Sequence, residues 1–246
     1  MTKNTKSFLW VLTVYALSFI CYVPMLLRRS GAAVPGVLLY ARYFYVLIPA
    51  LVSAVFLAGE HAVKARWFAC LKKISAKECI LCAVIAAAGV LSTWGYSLRQ
   101  GTGLFRNAYP SPLSFASSAV YLFVMALAEE LAWRGFLLKR FATGRNKALS
   151  AGCAGVIWAV WHIPMWTIRN SLGLGEVVPL FIWTVLVSLI LGTAYFRFEN
   201  LLSAAVLHAI FNVFFLAPAK YNNVVVFAGM LICFILLKYK KGIKEF

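Results

Sequence analysis

Glu129 and Glu130 close a long apolar run, Leu113–Ala128, and Arg134 follows four residues after Glu130. An ionisable side chain at the centre of hydrocarbon costs about 2.5–3.5 kcal/mol even on insertion scales, so one that is retained there marks a function by default. All seven acidic residues are glutamates, and the other five lie in loops or at segment ends. His162 and His208, two of the three histidines, also fall inside apolar runs, as does Asn212. These residue types suit hydrolysis. A carboxylate such as Glu129, its pKa raised by burial, can act as general base towards water, with His162 helping to hold that water. His208 and Asn212 offer N–H donors for a tetrahedral oxyanion. One glutamate and two histidines are also a zinc set, in which case Glu129, His162 and His208 would be the ligands. No HExxH element is present, and Asn212 would have no role in a purely metal-binding site. Metal-free chemistry, with no cofactor, is therefore favoured, and zinc stays the open alternative.

Helical geometry divides the labour. Neighbouring residues on a helix point about 100° apart, so Glu129 and Glu130 cannot share one direction. Arg134 stands at the favourable i,i+4 position from Glu130, which predicts a neutralising brace. Glu129 is left to face a cavity. Trp158 and His162 share a helical face, as do His208 and Asn212, and Pro164 offers a kink just beyond His162. At a rise of about 1.5 Å per residue, Glu129, His162, His208 and Asn212 lie roughly 14–22 Å from the basic ends of their segments, near one level.

The segments that must carry these residues are membrane spans. Sixty-three per cent of the 246 residues are hydrophobic and 13% charged, about half the charge of an ordinary soluble domain. Eight apolar runs approach spanning length: Phe8–Leu27, Gly36–Gly59, Ile80–Leu98, Leu113–Leu131, Ala148–Ile168, Val177–Phe196, Leu201–Ala217 and Val224–Leu237. They lack the alternation of barrel strands. The expected fold class is all-α, a polytopic membrane helical bundle of about eight transmembrane helices. The first run has a basic lead but is too long for the core of a secretion signal and reads as a retained helix. The net charge of +17 is a topology signal and a means of meeting anionic lipid, not a nucleic-acid footprint. Its lysines and arginines concentrate in the termini and in the loops Glu60–Glu78 and Gly135–Lys147, which places both termini in the cytoplasm. Cys79 and Cys82 form a lone CxxC, more consistent with buried small residues than with metal or redox chemistry.

Glu129-Glu130-Leu131-Ala132-Trp133-Arg134 reads as EExxxR, Trp158 to His162 as [FW]xxxH, and His208 to Asn212 as HxxxN. In this order and spacing the motifs resemble those of the CAAX-protease and bacteriocin-processing (CPBP, or Abi) intramembrane protease family, over about Leu113–Leu216. The resemblance implies a multi-span peptidase in which Glu129, His162, His208 and Asn212 are catalytic, supported by Glu130, Arg134 and Trp158. It implies a hydrophobic or membrane-associated peptide substrate in a prokaryotic cell membrane, with peptide maturation or bacteriocin self-immunity as roles. The corresponding division is N-terminal spans 1–112, a catalytic core 113–217, and a last span with a basic tail 218–246. The competing class is a non-proteolytic membrane protein, either a proton-coupled transporter or a regulatory scaffold keeping the motifs.

The charge asymmetry makes a topological prediction. Cysteines placed in the loops Glu60–Glu78 and Gly135–Lys147 should resist an impermeant thiol reagent applied to intact cells and react once the membrane is opened.

Overall fold

The computed structural model describes residues 3–58, 70–100, 111–143 and 146–216, and among these every regular element is helical. The chain is an integral multi-pass membrane protein. Four described helices are long and apolar enough to cross a bilayer: α3 (Gly36–Leu57), α5 (Pro112–Ala142), α6 (Lys147–Arg169) and α7 (Leu174–Phe198). A fifth span is obtained if α1 (Lys3–Ile20) and α2 (Val23–Arg29) count together across their 41° bend. Pro24 explains that break, because it lacks the N–H that would continue the ladder of α1. The third apolar run lies within α4 (Ala76–Gln100), and the seventh within α8 (Leu201–Leu216), which is short for a span. The expected eighth span, Val224–Leu237, and most of the Glu60–Glu78 loop lie outside the described residues. The all-α class therefore stands, with four or five spans counted among the described residues instead of eight.

Two compact units divide the chain: Met1–Ala69 with Ala128–Ser188, and Cys70–Leu127 with Leu189–Phe246. The divisions fall inside α5 and α7, so neither unit is continuous in sequence.

In the first unit, α1 buries Ser7, Trp10, Val14 and Ser18, at successive spacings of three and four residues. Phe8, Leu12 and Phe19 point outward, as lipid-facing residues do. The buried polar groups find partners. The Trp10 indole donates to Ser53 Oγ (3.0 Å), and Ser53 donates to the Pro49 carbonyl (2.7 Å). Trp10 packs edge-on against Trp133 and stacks on Phe136, so α1 is bound to α5 by aromatic faces. Between α6 and α7 the approach is tight at Gly155. A Cβ there would fall 2.8 Å from Ser188 Cβ and 3.3 Å from the Val185 backbone. Glycine at 155 is thus a packing requirement, in keeping with small residues at intramembrane helix contacts.

In the second unit, α4 packs against α8. Ser75 and Glu78 form a reciprocal cap at the start of α4: the Ser75 amide donates to Glu78 Oε2 (2.7 Å) and the Glu78 amide to Ser75 Oγ (3.5 Å). Burial pushes the Glu78 carboxyl up, but hydrogen bonding from Ser75, with Ser203 and Asn200 beside it, outweighs burial and holds it below the usual carboxylate range. This cap contributes stability above the unfolded carboxylate pKa and loses it as pH falls through the lowered one. Asn200 caps α8, its Oδ1 accepting from the Leu202 amide (3.0 Å) and the Lys72 amide (3.4 Å).

Gly155→Ala should force α6 and α7 apart and lower stability by about 1–3 kcal/mol, the usual range for overpacking. A thermal melt in detergent checks this, with Gly175→Ala as control, because a Cβ at Gly175 meets nothing within 4 Å.

Candidate active site

The first unit gathers five of the seven motif residues. Arg134 is 1% exposed and Glu130 fully buried, and Arg134 Nη1 lies 2.8 Å from Glu130 Oε1. The other terminal nitrogen, Nη2, donates to Ser188 Oγ (3.1 Å), which in turn donates to the Ala151 carbonyl (3.2 Å). The guanidinium carbon also sits 4.7 Å from the centroid of the Trp158 ring, a cation–π contact in a desolvated setting. Arg134 thereby ties three helices together: its own α5, α6 through Trp158, and α7 through Ser188.

Trp158 is the second organiser. Its indole N–H donates to Glu129 Oε2 at 2.7 Å, and both side chains are buried. Glu129 therefore meets its partner from another helix, one that local spacing on α5 could not reveal. The backbone carbonyl of the same residue lies 2.9 Å from His162 Nδ1. A carbonyl oxygen can only accept, so Nδ1 carries the hydrogen, and in the neutral ring Nε2 is the acceptor nitrogen. One tryptophan thus sets the orientation of the carboxylate with its side chain and the tautomer of the histidine with its backbone.

Aromatic rings confine His162 further. Trp166 stacks on it at 5.4 Å, and Trp158 and Trp161 present edges at 5.3 and 4.8 Å. Tyr45 of α3 stacks on Trp161 (4.8 Å), and Tyr22 packs on Tyr45 (5.3 Å). Two π-helical segments follow the motif residues directly: Trp133–Leu138 after the glutamates, and Met165–Arg169 after His162 and Pro164. Such single wide turns are frequent at functional sites.

His208 and Asn212 belong to the second unit. His208 is 2% exposed on α8, and Asn212, one turn further on, is half-buried. Within either unit, among the described residues, no group of three or more His, Cys, Asp or Glu side chains is gathered as a metal site. The described cysteines are free thiols, with Cys79 exposed and Cys82 buried.

Residues 111–214 match the family model of the type II CAAX prenyl endopeptidases, Rce1-like. That segment is similar to the Rce1-like endopeptidases. Its limits agree within two residues at each end with the span of the motif resemblance. No curated protein matches the chain. All seven motif residues fall inside that segment, whereas Tyr22 and Tyr45, which pack around its aromatic shell, fall outside it. Sequence reasoning missed Ser188, Gly155, Trp161 and Trp166 as supports. The available signals were Ser188, one of four hydroxyl side chains in the Val177–Phe196 run, and tryptophans at helical spacing around His162.

The two glutamates should separate in a stability experiment. Glu130→Gln removes one member of a buried pair and should cost about 3–5 kcal/mol, seen as a lower melting temperature and yield. Glu129→Gln keeps an acceptor oxygen for the Trp158 indole and should melt close to the unaltered protein.

Proposed function

We propose that the protein is an intramembrane endopeptidase in which Glu129 activates water for attack on a peptide bond. The observation that carries this reading is the double hold of Trp158 on Glu129 and His162, which orients a general base and an acceptor nitrogen together in a buried setting. One proton of a water molecule would be directed to Glu129 and the other to His162 Nε2, leaving an oxygen lone pair for the scissile carbonyl. Attack forms the carbon–oxygen bond while Glu129 takes the proton, and the negative charge collects on the former carbonyl oxygen. We assign His208 and Asn212 as the donors that stabilise that oxyanion, on the basis of the HxxxN spacing and the family. Collapse breaks the carbon–nitrogen bond as Glu129 returns its proton to the leaving amine. The net reaction is addition of one water across one peptide bond.

The substrate is proposed to be a hydrophobic or membrane-associated peptide, and peptide maturation or bacteriocin self-immunity fits a small multi-span protein. Glu130, Arg134 and Trp158 are positioning residues in this scheme. In the zinc alternative Glu129, His162 and His208 would hold the ion, and a bound metal would supply the water activation otherwise given to Glu129.

Comparative peptidomics of cells with the unaltered protein and with Glu129→Gln should reveal products absent from the variant. A transporter or scaffold reading predicts no such difference. Purified protein should keep cleaving after exhaustive chelation, and His208→Ala or Asn212→Ala should each slow turnover by about a hundredfold to a thousandfold with little change in substrate binding. Loss of activity on chelation with recovery by zinc alone would replace the metal-free scheme. Trp158→Phe keeps a ring beneath Arg134 but removes the donor to Glu129, so it should remain folded and lose turnover.

A further inference from the structure

Glu129 is buried and His162 half-buried, so a peptide cannot reach them in this arrangement and part of the surrounding wall must move. α2 is loosely held to that wall. None of its seven residues is buried, although it packs on the first turns of α3 and on the π-helical segment that follows His162. Its N-terminal side is a hinge. α1 ends in tight turns, the Cys21 amide donating to the Ser18 carbonyl (3.2 Å) and the Tyr22 amide to the Phe19 carbonyl (2.8 Å). α2 then starts afresh across the 41° bend. Its far end is tied by an exposed hydrogen bond, from Arg29 Nη2 to Ser171 Oγ (2.6 Å).

The contact beneath α2 is poorly satisfied. Tyr22, at the hinge, packs its ring on Tyr45 (5.3 Å), which stacks on Trp161 beside His162. The Tyr22 hydroxyl is buried without a hydrogen-bond partner among the described residues, and the neighbouring Tyr45 phenol directs its own hydrogen at the Met165 sulfur (2.6 Å). Arg42 Nε is likewise buried and unpaired, and Arg42 Nη1 has only a long approach to Met25 of α2 (4.0 Å). Buried polar groups without partners raise the free energy of the closed arrangement, and water regained on opening removes that cost. Charge acts in the same direction, since Arg28 and Arg29 end α2 on the side where α3 carries Arg42 and α6 ends in Arg169. Against these stands the bond to Ser171. That residue lies in the left-handed region (φ +57°), and the Leu172 amide, donating to the Trp166 carbonyl (2.9 Å), closes the turn that presents its hydroxyl.

We propose that α2 is a lid, hinged at Cys21–Pro24 and latched by Arg29 on Ser171, whose opening admits the peptide substrate to Glu129 and His162. That a peptide is what passes rests on the protease reading; the opening itself does not. Hinge and lid both precede the segment similar to the Rce1-like endopeptidases, so that match does not account for them.

His162 reports the opening, because its acceptor nitrogen Nε2 reacts with diethyl pyrocarbonate once exposed. The rate is followed by mass spectrometry on the purified full chain in detergent, with His208 as the internal reference. Arg29 and Ser171 are exposed, so their variants should fold. Ser171→Asp gives Arg29 a carboxylate partner and suits a left-handed residue, and it should slow modification of His162 about threefold. Arg29→Ala removes the latch and should speed it by about the same factor. The double variant should react like Arg29→Ala alone, because the new carboxylate then lacks its partner. The rate at His208 should follow none of these changes. Equal His162 rates in all four proteins, no measurable modification of His162 in any, a double variant as slow as Ser171→Asp, or a parallel change at His208 overturns the proposal. Absence of peptide products in the Glu129 comparison would instead sink the protease reading, and leaves the order of His162 rates as it stands.

Discussion

A guanidinium sealed in the interior of a membrane protein must have all of its sides satisfied. Arg134 is 1% exposed, and its neighbours answer that demand one by one: Glu130 neutralises it, Ser188 accepts from it, and the Trp158 ring covers its face. Each neighbour is constrained in return. Ser188 must lie against α6, which is why residue 155 has no side chain. Trp158 must lie flat to the cation, which directs its indole N–H at Glu129. The low dielectric that makes an unpaired charge costly also makes this linked set stiff, because no member can rotate without stranding another.

That stiffness is what the general-base role proposed for Glu129 needs. A general base in lipid has little water with which to correct a wrong rotamer, so its geometry has to be built in. Trp158 does this for Glu129 through its side chain and for His162 through its carbonyl. The three tryptophans around His162 limit its rotation further, and Tyr45 extends the packing to α3. The N-terminal spans therefore contribute the outer wall of the candidate site, although the segment similar to the Rce1-like endopeptidases begins only at residue 111.

How much of this was legible depends on how local each interaction is. The all-helical membrane class follows from hydrophobic runs and needs no tertiary information. The Glu130–Arg134 pair follows from i,i+4 spacing on one helix, because both partners ride on the same backbone. The motif triplet and its order carry the resemblance, and the family match covers the same stretch. Counting spans was less secure, since a run of apolar residues does not say whether its helix breaks at Pro24, as α1 and α2 do, or stays short, as α8 does.

Contacts between helices were out of reach. Helical spacing on α5 does not point Glu129 to any partner, and Trp158, which donates to it, stands 29 residues away on α6. The role of Ser188 depends on α7 passing close enough to α6 at Gly155, a distance set by packing and not by any pattern along the chain. Sequence by itself determined which residues could do chemistry and which local pair would brace them, because residue type and helical periodicity are properties of a single segment. Only the tertiary structure decided which donor orients Glu129 and which ring nitrogen of His162 carries its proton, because those depend on the distance and angle between side chains and backbone groups that folding brings together.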